Sequence, residues 1–76
     1  MSVLNLGAIV RFHRKKAGLT QLELAKLAGV GKTAVFDLEK GKLTLQLSTL
    51  LAVLYILNIE VKFASPLMQL FEETHE

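Results

Sequence analysis

The chain has 76 residues, 51% of them hydrophobic, and no cysteine, so it holds one domain with neither disulfides nor a thiolate metal site. Its net charge of +2 hides an asymmetry: residues 1–42 carry eight Lys/Arg against three Asp/Glu, and residues 43–76 one Lys against four Glu. A basic half beside an apolar, mildly acidic half points to a polyanion for the first and another partner for the second.

In chain order, Val3, Leu6, Ile9, Val10 and Phe12–His13 form a helical stripe, with Arg11, Arg14, Lys15 and Lys16 on the remaining face. This predicts a first helix over about residues 4–17, ended by Gly18. Thr20-Gln-Leu-Glu23 fits a capping box, Thr20 as N-cap and Glu23 reaching back, which opens a short second helix that Gly29 stops. Gly29-Val30-Gly31 separates it from a third helix with Ala34, Val35 and Leu38 inward, ended by Gly41. Two short helices joined by a glycine-containing turn form a helix-turn-helix arrangement. Thr44 is placed to cap a fourth helix bearing Leu47, Leu50, Leu51, Leu54 and Leu57, with Asn58 as its stop. Val53, Tyr55 and Ile56 widen its apolar surface beyond one stripe, the mark of a helix covered on more than one side.

The period then changes. Ile59-Glu60-Val61-Lys62-Phe63 alternates apolar and polar residues, a strand signal with no second strand in the chain to pair with. Pro66 ends it and leaves an amphipathic tail with Leu67, Leu70 and Phe71 on one side. That tail either packs back on the helices, binds a partner or frays. The expected divisions are a helix-turn-helix domain over 1–58, a dimerisation strand over 59–64 and the tail over 65–76.

Several chemistries are excluded. Gly31-Lys32-Thr33 resembles the end of a phosphate-binding loop, but position 26 is lysine where that loop needs glycine, and the preceding element is helical. His13 and His75 are isolated, and Glu72, Glu73 and Glu76 read as a solvated tail, so no nucleophile, base or metal set assembles. The reading is therefore not an enzyme, with no cofactor and no metal. The uncharged run Leu43–Ile59 is short and too polar for a membrane span, and no signal peptide opens the chain. A soluble cytoplasmic protein is expected.

The stretch GLTQLELAKLAGVGKTAVFDLEKG, Gly18 to Gly41, resembles the phage-repressor-like helix-turn-helix regulators of the Cro and XRE type. The resemblance covers roughly residues 4–57. It rests on Gly18-Leu19-Thr20-Gln21, the Leu24-Ala25 pair, Gly29-Val30, Val35 behind the reading face, and Leu38-Glu39 before Gly41. Ala25 is small because the second and third helices cross closely, and Gly29 permits a positive φ at a helix end. The fold implied is all-α, a four-to-five-helix lambda-repressor-like domain with one C-terminal strand pairing across a two-fold dimer.

The resemblance also implies roles. The third helix enters the major groove of double-stranded DNA, with Lys32, Thr33, Phe36 and Asp37 toward base edges. Lys32 suits guanine O6/N7, and Thr33 a thymine methyl or an acceptor. Phe36 is either a thymine-methyl contact or a core residue. Asp37 repels phosphate unless it accepts from a cytosine amine, and Gly31 stands where many relatives carry a polar N-cap. Thr20 and Gln21, at a helix N-terminus, face phosphate, with Arg11, Lys15, Lys16, Lys40 and Lys42 as further backbone contacts. Arg14 pairs with Glu39 as a structural ion pair.

The C-terminal strand narrows the likeness to the HipB type of antitoxin-repressor. Paired antiparallel about Val61, Ile59 lies opposite Phe63 and Glu60 opposite Lys62 of the partner subunit, above the fourth helix with Leu54 in the interface. The implied function is a homodimeric repressor of a palindromic operator and the antitoxin of a HipA-like kinase toxin. A stand-alone phage-type regulator fits the same residues, as does an interaction module that has lost DNA binding, which Gly31, Phe36 and Asp37 keep open.

Overall fold

A computed structural model describes residues 5–42 and 44–74, and among them every regular element is an α-helix. α1 spans Leu6–Lys16, α2 Gln21–Ala28, α3 Lys32–Glu39, α4 Leu47–Ile56 and α5 Met68–Thr74. The expected start of the first helix at Val3 and Leu4, and Leu43, His75 and Glu76, lie outside the described residues.

Local chemistry sets the boundaries. Thr20 Oγ1 accepts from the Glu23 N–H at 3.0 Å while Glu23 Oε1 accepts from the Thr20 N–H at 2.8 Å, so two orphan donors at the start of α2 are satisfied reciprocally. α2 ends where Gly29 turns left-handed at φ 70, letting the Val30 N–H return to the Ala25 carbonyl at 2.9 Å. Asn58, at φ 57, does the same after α4, sending the Ile59 N–H to the Leu54 carbonyl at 2.9 Å. Thr44 does not cap α4. Leu45 packs against the core first, so the helix starts after Gln46, which makes no side-chain cap bond.

The inward face of α1 differs from the predicted stripe. Gly7, Val10 and Arg14 are buried, whereas Ile9, Phe12 and His13 are exposed. Helical spacing from Val10 reaches Arg14 and Gly7 rather than Phe12, and a charged residue and a glycine do not register as core in a hydrophobic pattern. Gly7 is there for proximity. A Cβ at this position would overlap the Leu38 carbonyl oxygen and lie 2.9 Å from the Glu39 carbonyl oxygen, so α1 crosses the end of α3 almost backbone to backbone.

The core is Val10, Leu24, Ala25, Val35, Leu38, Val53, Leu54 and Leu57, with α2 packed on α3 and α4, and α1 on α3. Each fully buried Leu or Val contributes about 1.5–3 kcal/mol. Among the described residues no strand forms, and 59–65 carry no regular structure. A strand needs a ladder partner for its N–H and C=O groups, and among the described residues there is no second strand to supply one. Two expected interface residues also serve the chain's own core. Leu54 is 4% exposed, and Ile59 packs partly buried against the cluster. The helical phase turns Leu47, Leu51 and Tyr55 outward instead, one side of α4 at four-residue spacing. Glu60, Val61, Lys62 and Phe63 are exposed, with Glu60 and Lys62 3.8 Å apart in a solvated pair worth little. Leu67, Leu70 and Phe71 on and before α5 are each more than half exposed.

In most helices a Gly→Ala change stabilises by roughly 0.5–1 kcal/mol. Here the sign reverses: Gly7→Ala is expected to destabilise by about 1–3 kcal/mol through forced separation of α1 and α3. Urea unfolding followed by circular dichroism measures it, and a gain in stability would contradict the close crossing.

Candidate nucleic-acid interface

The buried cation of α1 organises the surface beside it. Arg14 Nε donates to Glu39 Oε2 at 2.6 Å and Nη2 to Glu39 Oε1 at 3.0 Å, a bidentate pair, while Nη1 donates to the Leu19 carbonyl at 2.9 Å. The side chains are 10% and 3% exposed. Gln21 Nε2 donates to Glu39 Oε1 at 3.1 Å. The carboxylate at the end of α3 therefore receives both α1 and the first residue of α2. Burial pushes the Glu39 carboxyl up, but hydrogen bonds from Arg14 and Gln21, with the charges of Arg14 and Arg11, outweigh it and hold the group below its ordinary range. The hydrogen bond to Glu39 raises the Arg14 pKa, against the opposing effect of burial.

Around this anchor lies an open basic groove lined by Arg14, Lys15, Thr20, Gln21, Leu22 and Lys32. Its wall is the N-terminus of α2, where backbone N–H groups and the helix dipole favour an anion. Of the cations read from the sequence, Lys15 and Lys32 line the groove, and Lys16, Lys40 and Lys42 are exposed elsewhere. Arg11 is exposed too, near enough to Glu39 for its charge to act there. Lys16 Nζ sits 5.5 Å from the Phe12 ring centroid on the outer side of α1.

α3 adds a second surface. Lys32 and Thr33 are exposed on its first turn, and together with Phe36 they line a cleft. Phe36 is 43% exposed and stands outside the core cluster, which settles its placement as a surface residue. Lys40 Nζ lies 4.9 Å from its ring centroid, a cation–π contact between successive turns. Asp37 is half-buried, and its carbonyl accepts the Lys40 and Lys42 N–H groups at the end of the helix. Gly31 precedes α3 without a side-chain cap.

The groove's Leu22 and the third acceptor of Arg14, the Leu19 carbonyl, were not foreseen. Leu22 reads only as one more apolar residue of an amphipathic helix, and a main-chain oxygen has no side-chain signature. Gly7 had a signal, a glycine at the core position of a helical stripe, but it reads equally as an interruption.

Two outcomes are expected. Glu39→Ala leaves Arg14 buried without its partner and should cost about 3–5 kcal/mol by denaturant unfolding. Because the folded carboxyl is depressed, its contribution is complete above the ordinary value of 4.5 and is lost as pH falls through the lower folded value. An acid titration of stability should show that loss in the native chain and not in the variant.

A family model described as helix-turn-helix matches residues 10–63. The chain is 44% identical over 62 residues to y4mF of Sinorhizobium fredii, named an uncharacterized HTH-type transcriptional regulator, covering 82% of each chain. It is 32% identical over 56 residues to the ImmF control region 10 kDa protein of Bacillus phage phi105, covering 74% of this chain and 62% of that one. A regulator of the same HTH type from Methanothermobacter thermautotrophicus is 50% identical over 34 residues, covering 45% of this chain and 49% of the other. The chain belongs to the phage-repressor-like helix-turn-helix family.

Proposed function

We propose that this chain is a sequence-specific DNA-binding transcriptional regulator. The observation that carries the reading is the exposed face of α3, Lys32, Thr33 and Phe36, set beside the basic groove at the N-terminus of α2. α3 lies in the major groove, Lys32 donates to guanine O6/N7, and Thr33 and Phe36 meet neighbouring base edges. Asp37, set back on the helix, accepts from a cytosine amine. Gln21 keeps one Nε2 hydrogen for phosphate after its bond to Glu39. Thr20, Lys15, Arg11, Lys16, Lys40 and Lys42 contact the DNA backbone.

The working form is a homodimer on a palindromic operator, joined through residues 59–64. Val61 and Phe63 are 50% and 79% exposed, and the outward side of α4 offers Leu47, Leu51 and Tyr55 as a continuation. On pairing, Glu60 exchanges its weak intrachain contact for Lys62 of the partner subunit. Repression follows from occupancy of the operator. The narrower role is that of an antitoxin to a HipA-like kinase toxin, drawn from the likeness of the C-terminal segment to the HipB type. The likeness to a phage control-region protein favours instead a stand-alone regulator, and a kinase-like reading frame beside the gene decides between them.

Binding to a selected duplex should weaken steeply with salt. Lys15→Ala is expected to lower the log–log salt slope by about 1 without changing sequence preference, whereas Lys32→Ala costs about 1–3 kcal/mol and relaxes one position. Affinity indifferent to salt would sink the reading. Val61→Pro should leave the helical circular dichroism intact and give a monomer at micromolar concentration in analytical ultracentrifugation; a persisting dimer rules out pairing through this segment.

A further inference from the structure

The outer side of α1 belongs neither to the core nor to the basic groove. Ile9 and Phe12 are 42% and 59% exposed there, about one helical turn apart, and neither lines the groove. Ala8 and Lys16 share that side at four-residue spacing from Phe12, and both are exposed. The Lys16 ammonium rests 5.5 Å from the Phe12 ring centroid, so apolar and cationic groups form one face. α1 contains no acidic residue, and among the described residues Lys15 and Lys16 have no carboxylate within ion-pair distance.

Charge complementarity chooses the occupant. α5 has the opposite make-up: Leu67 and Leu70 are more than half exposed, and the helix holds Glu72 and Glu73 with no Lys or Arg. Both helices run from apolar residues to charged ones. Ile9 and Phe12 precede Lys15 and Lys16, as Leu67 and Leu70 precede Glu72 and Glu73. Laid parallel, the apolar residues meet over one turn and the carboxylates reach the ammonium groups over the next. An antiparallel arrangement would set ammonium groups against leucine and carboxylates beside Ile9, and a neutral apolar segment would desolvate Lys16 without replacing its hydration. Both faces stay open in the single chain, so the complement comes from another. We infer that the outer face of α1 is a docking site for α5 of a second copy of this chain. The contact joins two different faces and is heterologous, unlike pairing about a two-fold at Val61. One contact of this size is weak, and reciprocal exchange between two copies strengthens it through effective concentration. The inference does not rest on DNA binding.

The chain has no cysteine, so introduced thiols report on one contact at a time. Ala8→Cys on α1 and Leu67→Cys before α5, both at exposed positions, are made in separate full-length chains and mixed in a glutathione redox buffer. The mixed disulfide should form several-fold faster than the Ala8→Cys chain pairs with itself, and added salt should slow it. Phe12→Asp in the first chain should abolish the mixed product, and Leu70→Lys in the second should restore it in part. Both positions are exposed, so circular dichroism should show native helix content in each variant. Mixed and self pairing at equal rates, or a mixed rate indifferent to Phe12→Asp, would overturn the inference. Intrachain closure in a chain carrying both cysteines would overturn it as well, placing α5 on its own α1. Absence of the mixed disulfide while the native chain binds phosphatidylglycerol vesicles through Phe12 would assign the face to an anionic lipid surface instead.

Discussion

The pair between Arg14 and Glu39 is the interaction on which the remaining geometry depends. A guanidinium on a side chain only 10% exposed is tolerable because each of its three nitrogens donates to an acceptor, the two carboxylate oxygens of Glu39 and the Leu19 carbonyl. Those acceptors belong to the end of α3 and the turn before α2, so satisfying one buried charge fixes three segments relative to each other. Gln21 joins the same carboxylate and thereby has its own orientation set. The groove at the start of α2 and the exposed face of α3 keep their mutual placement because both are tied to this carboxylate.

Such a pair contributes less to net stability than its bond lengths imply, because two charges had to leave water. Its value lies in what alternatives it rules out. With either partner missing, the remaining charge would be left buried and unpaired. Any rearrangement of α1 against α3 meets the same penalty. The close passage at Gly7 works in the same direction through sterics rather than charge.

Much of this was legible in the residues. The capping box at Thr20, the left-handed turn at Gly29, the stop at Asn58 and the inward Val35 and Leu38 follow from local rules that act within a turn or two. Other features depend on what a distant segment does. The face α1 buries is decided by α3, which accepts a glycine and an arginine where the pattern favoured Phe12. Whether Leu54 or Leu51 points inward depends on the phase of α4 against α2, and an all-round apolar helix carries no signal for that phase. Alternation over Ile59–Phe63 marks residues able to form a strand, but strand formation is a property of a pair.

Ile59 carries a consequence for mechanics. Its N–H is held by the Leu54 carbonyl and its side chain rests on the core, so the chain leaving α4 has no slack before residue 60. Two reading heads joined just beyond such a point would behave as one stiff caliper. They would discriminate among sites by the separation of the two halves, where heads on a flexible tether would accept many separations.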